Sequence, residues 1–381
     1  MKIVFLDQFS EPGGAQFCLR DVMAECLVRG WQPILIASGE GALVRWSQGV
    51  GVPTHPMPLG SYSNGRKTLS DCARFAIDVP RMSLAVRRVV ERERPDLVYA
   101  NGPRVLPSVT GLACPVVFHA HSCVHRWPER QIVRSSLRSA EATVFAASDY
   151  VAAAHESAYV IYNGVADLWR GARSFDRTTA RVGFMGRIAR EKGLIDFVQA
   201  ARRLAESGAD VEFLVYGDTL FSDPRYEQEV QATAEGAPVT FCGWTDDVAR
   251  ALRDLEILAV PSGPDEAATR VIMESFSAGT PVVAYPAGGI PELVEHERTG
   301  LLTETSDNYA LARSIGILLE DRRLMDRLSA AGRQEWKQRF RVERFRRSVC
   351  DLLEQCAQSA TARRHEAWAP ARGHDEAAAS R

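Results

Sequence analysis

The chain has 381 residues, 46% of them hydrophobic, with 46 Lys and Arg against 48 Asp and Glu, a formal net charge of −2 and 8 cysteines. That length is long for one core and comfortable for two domains, and the balanced charge argues against a general polyanion binder and so against nucleic acid as a partner. No run approaches the roughly 18 apolar residues of a membrane span, the opening Met-Lys-Ile-Val-Phe-Leu-Asp reads as a strand start and not a signal peptide, and cysteines without Cys-x-x-Cys pairs suit reduced thiols in a cytoplasm.

Residues 3–6 predict a strand, 7–14 a loop containing Gly13 and Gly14, and 15–29 a helix with Phe17, Val22 and Leu27 at helical spacing and Gly30 as its stop. Strand, glycine loop and helix make the first unit of a parallel α/β sheet, where ligands sit at the carboxyl ends of strands. A paired glycine allows close approach of a ligand, although it is more often only a turn. Further strands are expected at 34–37, 97–99 and 116–119, with a helix over 80–94, and the alternation describes a Rossmann-like domain. The polar stretch 60–68 reads as a loop.

His119, His121, Cys123 and His125 fall on alternate positions, so an extended strand would turn all four to one side. On the residues alone two readings stay open: a zinc set, which lacks a ligand from another segment and a carboxylate partner, or satisfied histidines without a ligand. Arg126, Arg130, Arg134 and Arg138 recur every four residues. A helix opening at Pro128 would carry them as one stripe, either a solvated face or one that meets anionic lipid. A strand is expected at 142–147, Asn163-Gly164 is a turn signal, and the polar stretch 169–179 reads as a linker.

The pattern restarts at 182–193 as strand, glycine turn at Gly186, the cations Arg187 and Lys192, then a helix over 194–205. The two cations stand five apart across a turn, so both can converge on one diphosphate and offset the charge that develops as it leaves. Basic loop residues are also commonly exposed and idle. Strands follow at 211–215 and 239–243, and Trp244 either stacks on a base or plugs the core. After a buried strand at 257–260, Pro261, Gly263 and Pro264 open a loop; a short helix over 267–278 stops at Gly279, and a second strand, 282–285, leads into the turn 287–292. Helix-opening loops present unpaired N–H groups and a positive dipole end to an anion. Glu266 and Glu274 only accept hydrogen bonds, which suits the paired hydroxyls of ribose or hexose; ordinary solvated helix carboxylates are the plain alternative. Helices are expected at 310–320, 322–340 and 342–358, and 359–381 reads as disordered.

Glu266, Glu274, Gly279, Pro281, Val282, Val283, Gly288, Gly289 and Glu292 stand where the donor-site pattern of retaining GT-B glycosyltransferases of family 4, glycosyl transferases group 1, has the same residues, and the segment resembles that site. The departures are Ala268 and Thr269 in place of Phe-Gly, and Ser275 and Ser277 in place of two alanines. Similar matches are Gly13-Gly14-Ala15-Gln16, His121, Ser148, the string from Val160 to Val165, Gly186-Arg187 with Lys192-Gly193, Val239 to Gly243, and Gly300-Leu301-Leu302. The resemblance implies an α/β GT-B fold, two Rossmann-like α/β/α domains facing each other across a cleft. It divides the chain into an acceptor-binding domain at 1–165, a linker at 166–180, a nucleotide-sugar-binding domain at 181–340, a helix at 341–358 crossing back to the first domain, and a tail at 359–381.

The same resemblance implies a retaining glycosyltransferase. It would move sugar from a nucleotide diphosphate sugar to a hydroxyl of a saccharide or lipid-linked acceptor in cell-surface polysaccharide or glycolipid synthesis, without metal or further cofactor. His121, Glu266, Arg187 and Lys192 would carry the reaction. Gly14, His119, Gly186, Trp244, Ala267, Ala268, Thr269, Arg270 and Glu274 would bind donor, and Gly13 and Gln16 would lie on the acceptor side. Arg130, Arg134 and Arg138 would meet an anionic membrane surface, which suits a cytoplasmic protein peripheral on the inner face of the cell membrane. The alternatives are a non-catalytic nucleotide-sugar binder, motivated by Ala268-Thr269, and a GT-B epimerase or phosphorylase.

Overall fold

The computed structural model describes residues 1–60, 62, 67–171, 179–219 and 223–368, with side chains through 359. Parts of the expected loop 60–68 and linker 166–180, and the end of the chain from 369, lie outside the described residues.

Two wholly parallel sheets organise the chain. The first holds β1 (Lys2–Asp7), β2 (Gln32–Ala37), β3 (Thr54–Pro56), β4 (Leu97–Asn101), β5 (Val116–Ala120), β6 (Thr143–Ala146) and β7 (Tyr159–Val160), in the order β3-β2-β1-β4-β5-β6-β7. The second holds β8 (Ala180–Met185), β9 (Val211–Tyr216), β10 (Val239–Gly243), β11 (Ile257–Val260), β12 (Val282–Ala284) and β13 (Leu301–Leu302), in the order β10-β9-β8-β11-β12-β13. In each sheet the order in which strands are added reverses once, between β1 and β4 and between β8 and β11. Ligands of doubly wound sheets bind outside the carboxyl ends at such points.

The helices are α1 (Gly14–Val28), α2 (Ala42–Gly49), α3 (Leu69–Glu93), α4 (Trp127–Ser139) and α5 (Asp149–Ala152) in the first unit. The second has α6 (Leu194–Glu206), α7 (Pro224–Ala234), α8 (Val248–Arg253), α9 (Arg270–Ala278), α10 (Ile290–Leu293), α11 (Asn308–Glu320) and α12 (Arg322–Arg339). A last helix, α13 (Val342–Trp368), returns to the first unit, burying Phe345, Val349 and Leu353 beside Leu19 and Val22 of α1.

The strands read as near-continuous apolar runs because helices cover both faces of each sheet. Alternate residues feed different cores: Ile3, Phe5 and Leu35 enter one with α1 and α13, while Val4, Leu6, Ile34 and Ile36 enter the other with α3 and α4.

Three expected boundaries need correction. The helix placed at 80–94 begins at Leu69, because Thr68 and Asp71 form a reciprocal cap upstream and Pro80 is carried inside the helix. The helix placed at 267–278 begins at Arg270, since Thr269 is an extended N-cap and the Ala267 carbonyl is taken by Ser148 Oγ of the first domain. The last helix continues through Trp368, so the stretch read as disordered from 359 is helical at its start.

Candidate active site

Three loops meet at the carboxyl ends of β8, β11 and β12, and glycine permits their packing. Gly193 has φ 72°, and a Cβ there would lie 1.8 Å from the carbonyl oxygen of Pro261; the Gly263 N–H donates to the Glu191 carbonyl at 2.8 Å. Gly288, at φ 54°, would put a Cβ 1.8 Å from the Glu266 carbonyl oxygen, and the Gly289 N–H donates to that oxygen at 2.9 Å. The side chain of Glu266 is thereby turned to Lys192, whose Nζ lies 2.6 Å from Oε2. Glu266 is buried and Lys192 mostly so.

Arg187 follows Gly186 and pairs with Glu191 at 3.0 Å, half-exposed. An exposed pair of this kind contributes about 0–1 kcal/mol, so its guanidinium can exchange partners for an arriving phosphate. Arg187, Lys192 and Glu266 therefore gather around one set of loops.

The first domain holds a buried polar chain at the carboxyl ends of its own strands. Asp7 ends β1, Asn101 ends β4 in register with it, and His119 is in register with Asn101 on β5. Asn101 Nδ2 donates to Asp7 Oδ2 at 2.5 Å, and Gln16 and the Phe9 N–H donate to Asp7 Oδ1 at 2.9 and 2.8 Å. Burial pushes the Asp7 carboxyl up to about 7, against the hydrogen bonds from Asn101, Phe9 and Gln16. The Asn101 oxygen is left facing His121 Nε2 at 2.8 Å. His121 consequently carries its proton on Nε2, and its Nδ1 is a buried acceptor with no partner. Burial holds the His121 pKa down to about 4, so the ring is neutral near pH 7. His119 is fully buried, bonds Tyr99 through Nδ1 and packs its ring 4.0 Å from that of His121.

The alternation expected from His119 to His125 ends with β5 at Ala120. Cys123 turns to the Tyr150 carbonyl, and His125 pairs with Asp265 of the second domain at 3.1 Å. The four do not share one side, and among the described residues no group of three His, Cys, Asp or Glu is placed to hold a metal ion.

Other expected contacts are redirected. Gln16, placed on the acceptor side, is buried on Asp7, and Gly13 makes room for it, a Cβ there lying 2.6 Å from Gln16 Oε1. Gly14 opens α1 into free space. Arg270, placed at the donor, sits at the domain junction: it donates to Glu274 at 2.8 Å and to the Gly164 carbonyl at 3.2 Å, approaches Asp21 at 4.0 Å and stacks over Phe17. Glu274 thus pairs with Arg270 and keeps 17% of its side chain exposed. Ala267 packs into the first domain's core, and its carbonyl accepts from Ser148 Oγ at 2.8 Å. Ala268 is half-buried beside it. Thr269 has φ −78°, so its Cβ is unstrained, while its buried hydroxyl lacks a partner. Trp244 is 47% exposed and donates to Asp246, so it plugs no core.

Sequence reasoning passed over Asp7, Tyr99 and Asn101. Polar residues closing the buried strands β1 and β4 on either side of the switch point were the available signal.

Comparison with known proteins bears on both halves. Residues 179–321 match the family described as glycosyl transferases group 1, and residues 13–159 match the glycosyl transferase 4-like domain. The 2-deoxystreptamine glucosyltransferase of Streptomyces kanamyceticus is 35% identical over 144 residues, 37% of this chain and 36% of that protein. The sulfoquinovosyl transferase SQD2 of Arabidopsis thaliana is 26% identical over 285 residues, 65% of this chain and 54% of its own length. The chain thus spans only part, about a third in the first case, of these curated relatives. The structure of Anabaena HepE in complex with UDP and glucose is 25% identical, with a TM-score of 0.77 over 93% of this chain and 99% of that one.

Proposed function

We propose that this chain, which belongs to the GT-B glycosyltransferases of group 1, transfers a sugar from a nucleoside diphosphate to an acceptor hydroxyl with retention at the anomeric carbon. The observation that carries the reading is the 2.6 Å contact between Lys192 and Glu266. It joins a cation suited to a leaving diphosphate and a carboxylate suited to a sugar hydroxyl, at the switch point of the second sheet.

In this reading Arg187, Lys192 and the N-terminus of α9 meet the diphosphate, with no metal required. Glu266 accepts a hydrogen bond from the donor sugar, and His121 Nδ1 accepts another from the first domain. The bond from the anomeric carbon to the phosphate oxygen breaks as the acceptor oxygen bonds that carbon from the face being vacated. A phosphate oxygen takes the hydroxyl proton. The acceptor is a saccharide or lipid-linked hydroxyl, in cell-surface polysaccharide or glycolipid synthesis. Arg130, Arg134 and Arg138 are candidate contacts to an anionic membrane if the acceptor is lipid-linked, with the protein peripheral on its cytoplasmic side. No described helix is long and apolar enough to cross a membrane.

UDP-glucose is the first donor to test, because HepE was solved with UDP and glucose. A true donor should raise the melting midpoint of the wild type, and Lys192→Ala and Glu266→Gln should lose that shift and about 10²- to 10³-fold in kcat. A chelator should leave the rate unchanged. Equal midpoint shifts in all three proteins would place the donor elsewhere. Binding without transfer or donor hydrolysis would favour the non-catalytic binder, and donor interconversion without acceptor the epimerase.

A further inference from the structure

The loop after β4 carries a guanidinium that the transfer chemistry leaves unused. Arg104 stands three residues past Asn101, at the switch point of the first sheet, so its Cα lies within about 11 Å of that of the residue that meets His121. Its backbone is fixed. The Arg104 N–H donates to Gln8 Oε1 at 3.1 Å, and Gly102, at φ 121°, leaves room for that side chain, a Cβ there lying 2.7 Å from Gln8 Cδ. Its side chain is held by rings: the guanidinium carbon lies 5.1 Å from the ring centroid of Phe9 and 5.1 Å from that of Tyr62. Tyr62 is itself anchored, its hydroxyl donating to Asp78 Oδ2 at 2.6 Å and its ring centroid 6.1 Å from that of Phe75.

A cation–π contact uses none of the guanidinium's N–H donors. Arg104 is partly buried, and burial pushes its pKa below the ordinary arginine range, yet among the described residues no acid or carbonyl takes a hydrogen bond from that guanidinium. The two acids whose charge reaches it are engaged elsewhere. Asp71 Oδ2 accepts from the Thr68 N–H at 2.9 Å and the Thr68 hydroxyl at 2.8 Å, and Glu129 lies 3.9 Å from Arg126. Lys67 adds a second cation nearby, its pKa held down by burial and then by the charge of Arg104. A half-desolvated cation with open donors costs free energy that a bound anion would offset.

We propose that Arg104, with Lys67 beside it, binds an anionic group on the acceptor, a carboxylate or a phosphate monoester, so that the acceptor is an acidic saccharide and not a neutral one. A planar fork meets either group through two parallel N–H bonds, and the loop holds it where ligands of such sheets collect. The donor diphosphate is a poorer occupant, since Arg187 and Lys192 meet it from the second sheet and leave this cation for a second anion. The anion site stands by itself; that its occupant is the acceptor rests on the transferase reading.

The test is calorimetric titration of the full chain, with and without UDP, by two matched pairs of probes: p-nitrophenyl β-D-glucuronide against the glucoside, and glucose 6-phosphate against glucose. At least one charged probe should bind about tenfold or more tighter than its neutral match. Arg104→Gln should remove that advantage while shifting the neutral probe less than about twofold. Arg104→Lys keeps the charge but loses the fork; it should weaken the charged probe about fivefold or more at an unchanged melting midpoint, and it decides the matter if Arg104→Gln fails to fold. Arg313→Gln, the same change of charge at an exposed site on α11, and Lys192→Ala should both keep the advantage. No preference for either charged probe, a preference that survives Arg104→Gln or is undiminished in Arg104→Lys, or one lost in Arg313→Gln would overturn the proposal. So would loss in Lys192→Ala, which would assign the anion to the donor site. Transfer from UDP-glucose to the probes is read separately. Its absence with the charge preference intact would sink the transferase reading alone, and transfer without the preference would sink the anion site alone.

Discussion

Glu292, from the second domain, accepts the backbone N–H of Tyr150, in the first, at 2.7 Å through Oε1, and its other oxygen takes the Asp149 N–H at 2.7 Å. One carboxylate thus caps a helix across the domain boundary, and Tyr162 adds its hydroxyl at 2.9 Å. Glu292→Ala should lower stability by about 1–2 kcal/mol, the usual loss for a cap. The melting midpoint of the ligand-free chain should fall and small-angle scattering should show a wider domain arrangement. An unchanged midpoint and radius would mean that the latch holds nothing.

Asp21 is buried between two arginines of the second half, 2.5 Å from Arg346 and 4.0 Å from Arg270. Asp21→Asn takes the anion from beside Arg346 and leaves Arg270 with Glu274 alone. A loss of about 3 kcal/mol is expected, as for a broken buried pair, and it should appear in urea unfolding. Truncating Arg346 instead should be milder, because Asp21 keeps Arg270.

Gly288→Ala forces a Cβ against the Glu266 carbonyl at a backbone angle few side chains adopt. Donor affinity should fall with stability, since the loop bearing Glu266 must move. Gly51 has φ 79° but nothing near its missing Cβ. Gly51→Ala should therefore cost only about 1 kcal/mol, from backbone strain alone, and leave donor affinity intact. Equal effects from the two substitutions would show that strain, not collision, decides both.

The His121 pKa is about 4 in the folded chain, below its ordinary 6.5, because of burial. Between those values the unfolded chain binds more protons, so His121 makes the fold lose stability as pH falls from about 6.5 to about 4, on the order of 3 kcal/mol in all. Asp7 has the opposite sign: burial raises its pKa from 3.8 to about 7, so stability is greatest below its unfolded value and is lost as pH rises toward 7. His121→Gln should gain stability relative to the wild type as pH falls through the first window. Parallel stability–pH curves for the two proteins would contradict the buried neutral imidazole.

Much was legible in the order of residues alone. Apolar runs of strand length and period-3.6 patterns, with glycine punctuation, are local properties, so the alternation of strands and helices and the restart of the pattern near 182 could be read directly, whereas the grouping of Arg187, Lys192 and Glu266 was implied by the resemblance. The side-chain partners could not. Whether Arg270 meets a ligand or Asp21, whether Gln16 reaches outward or bonds Asp7, and which nitrogen of His121 is left unpaired depend on groups that only the packed fold brings together, as it does Arg270 and Cys18 from 252 positions apart. Even the upstream start of α3 turned on the Thr68–Asp71 cap and on Asp78 being turned inward toward Gly60 and Tyr62. Hydrophobic periodicity specifies which face of an element is buried, whereas hydrogen-bond and ion-pair geometry is specified only when two elements are packed, because those interactions act over a few ångströms and require both partners in place.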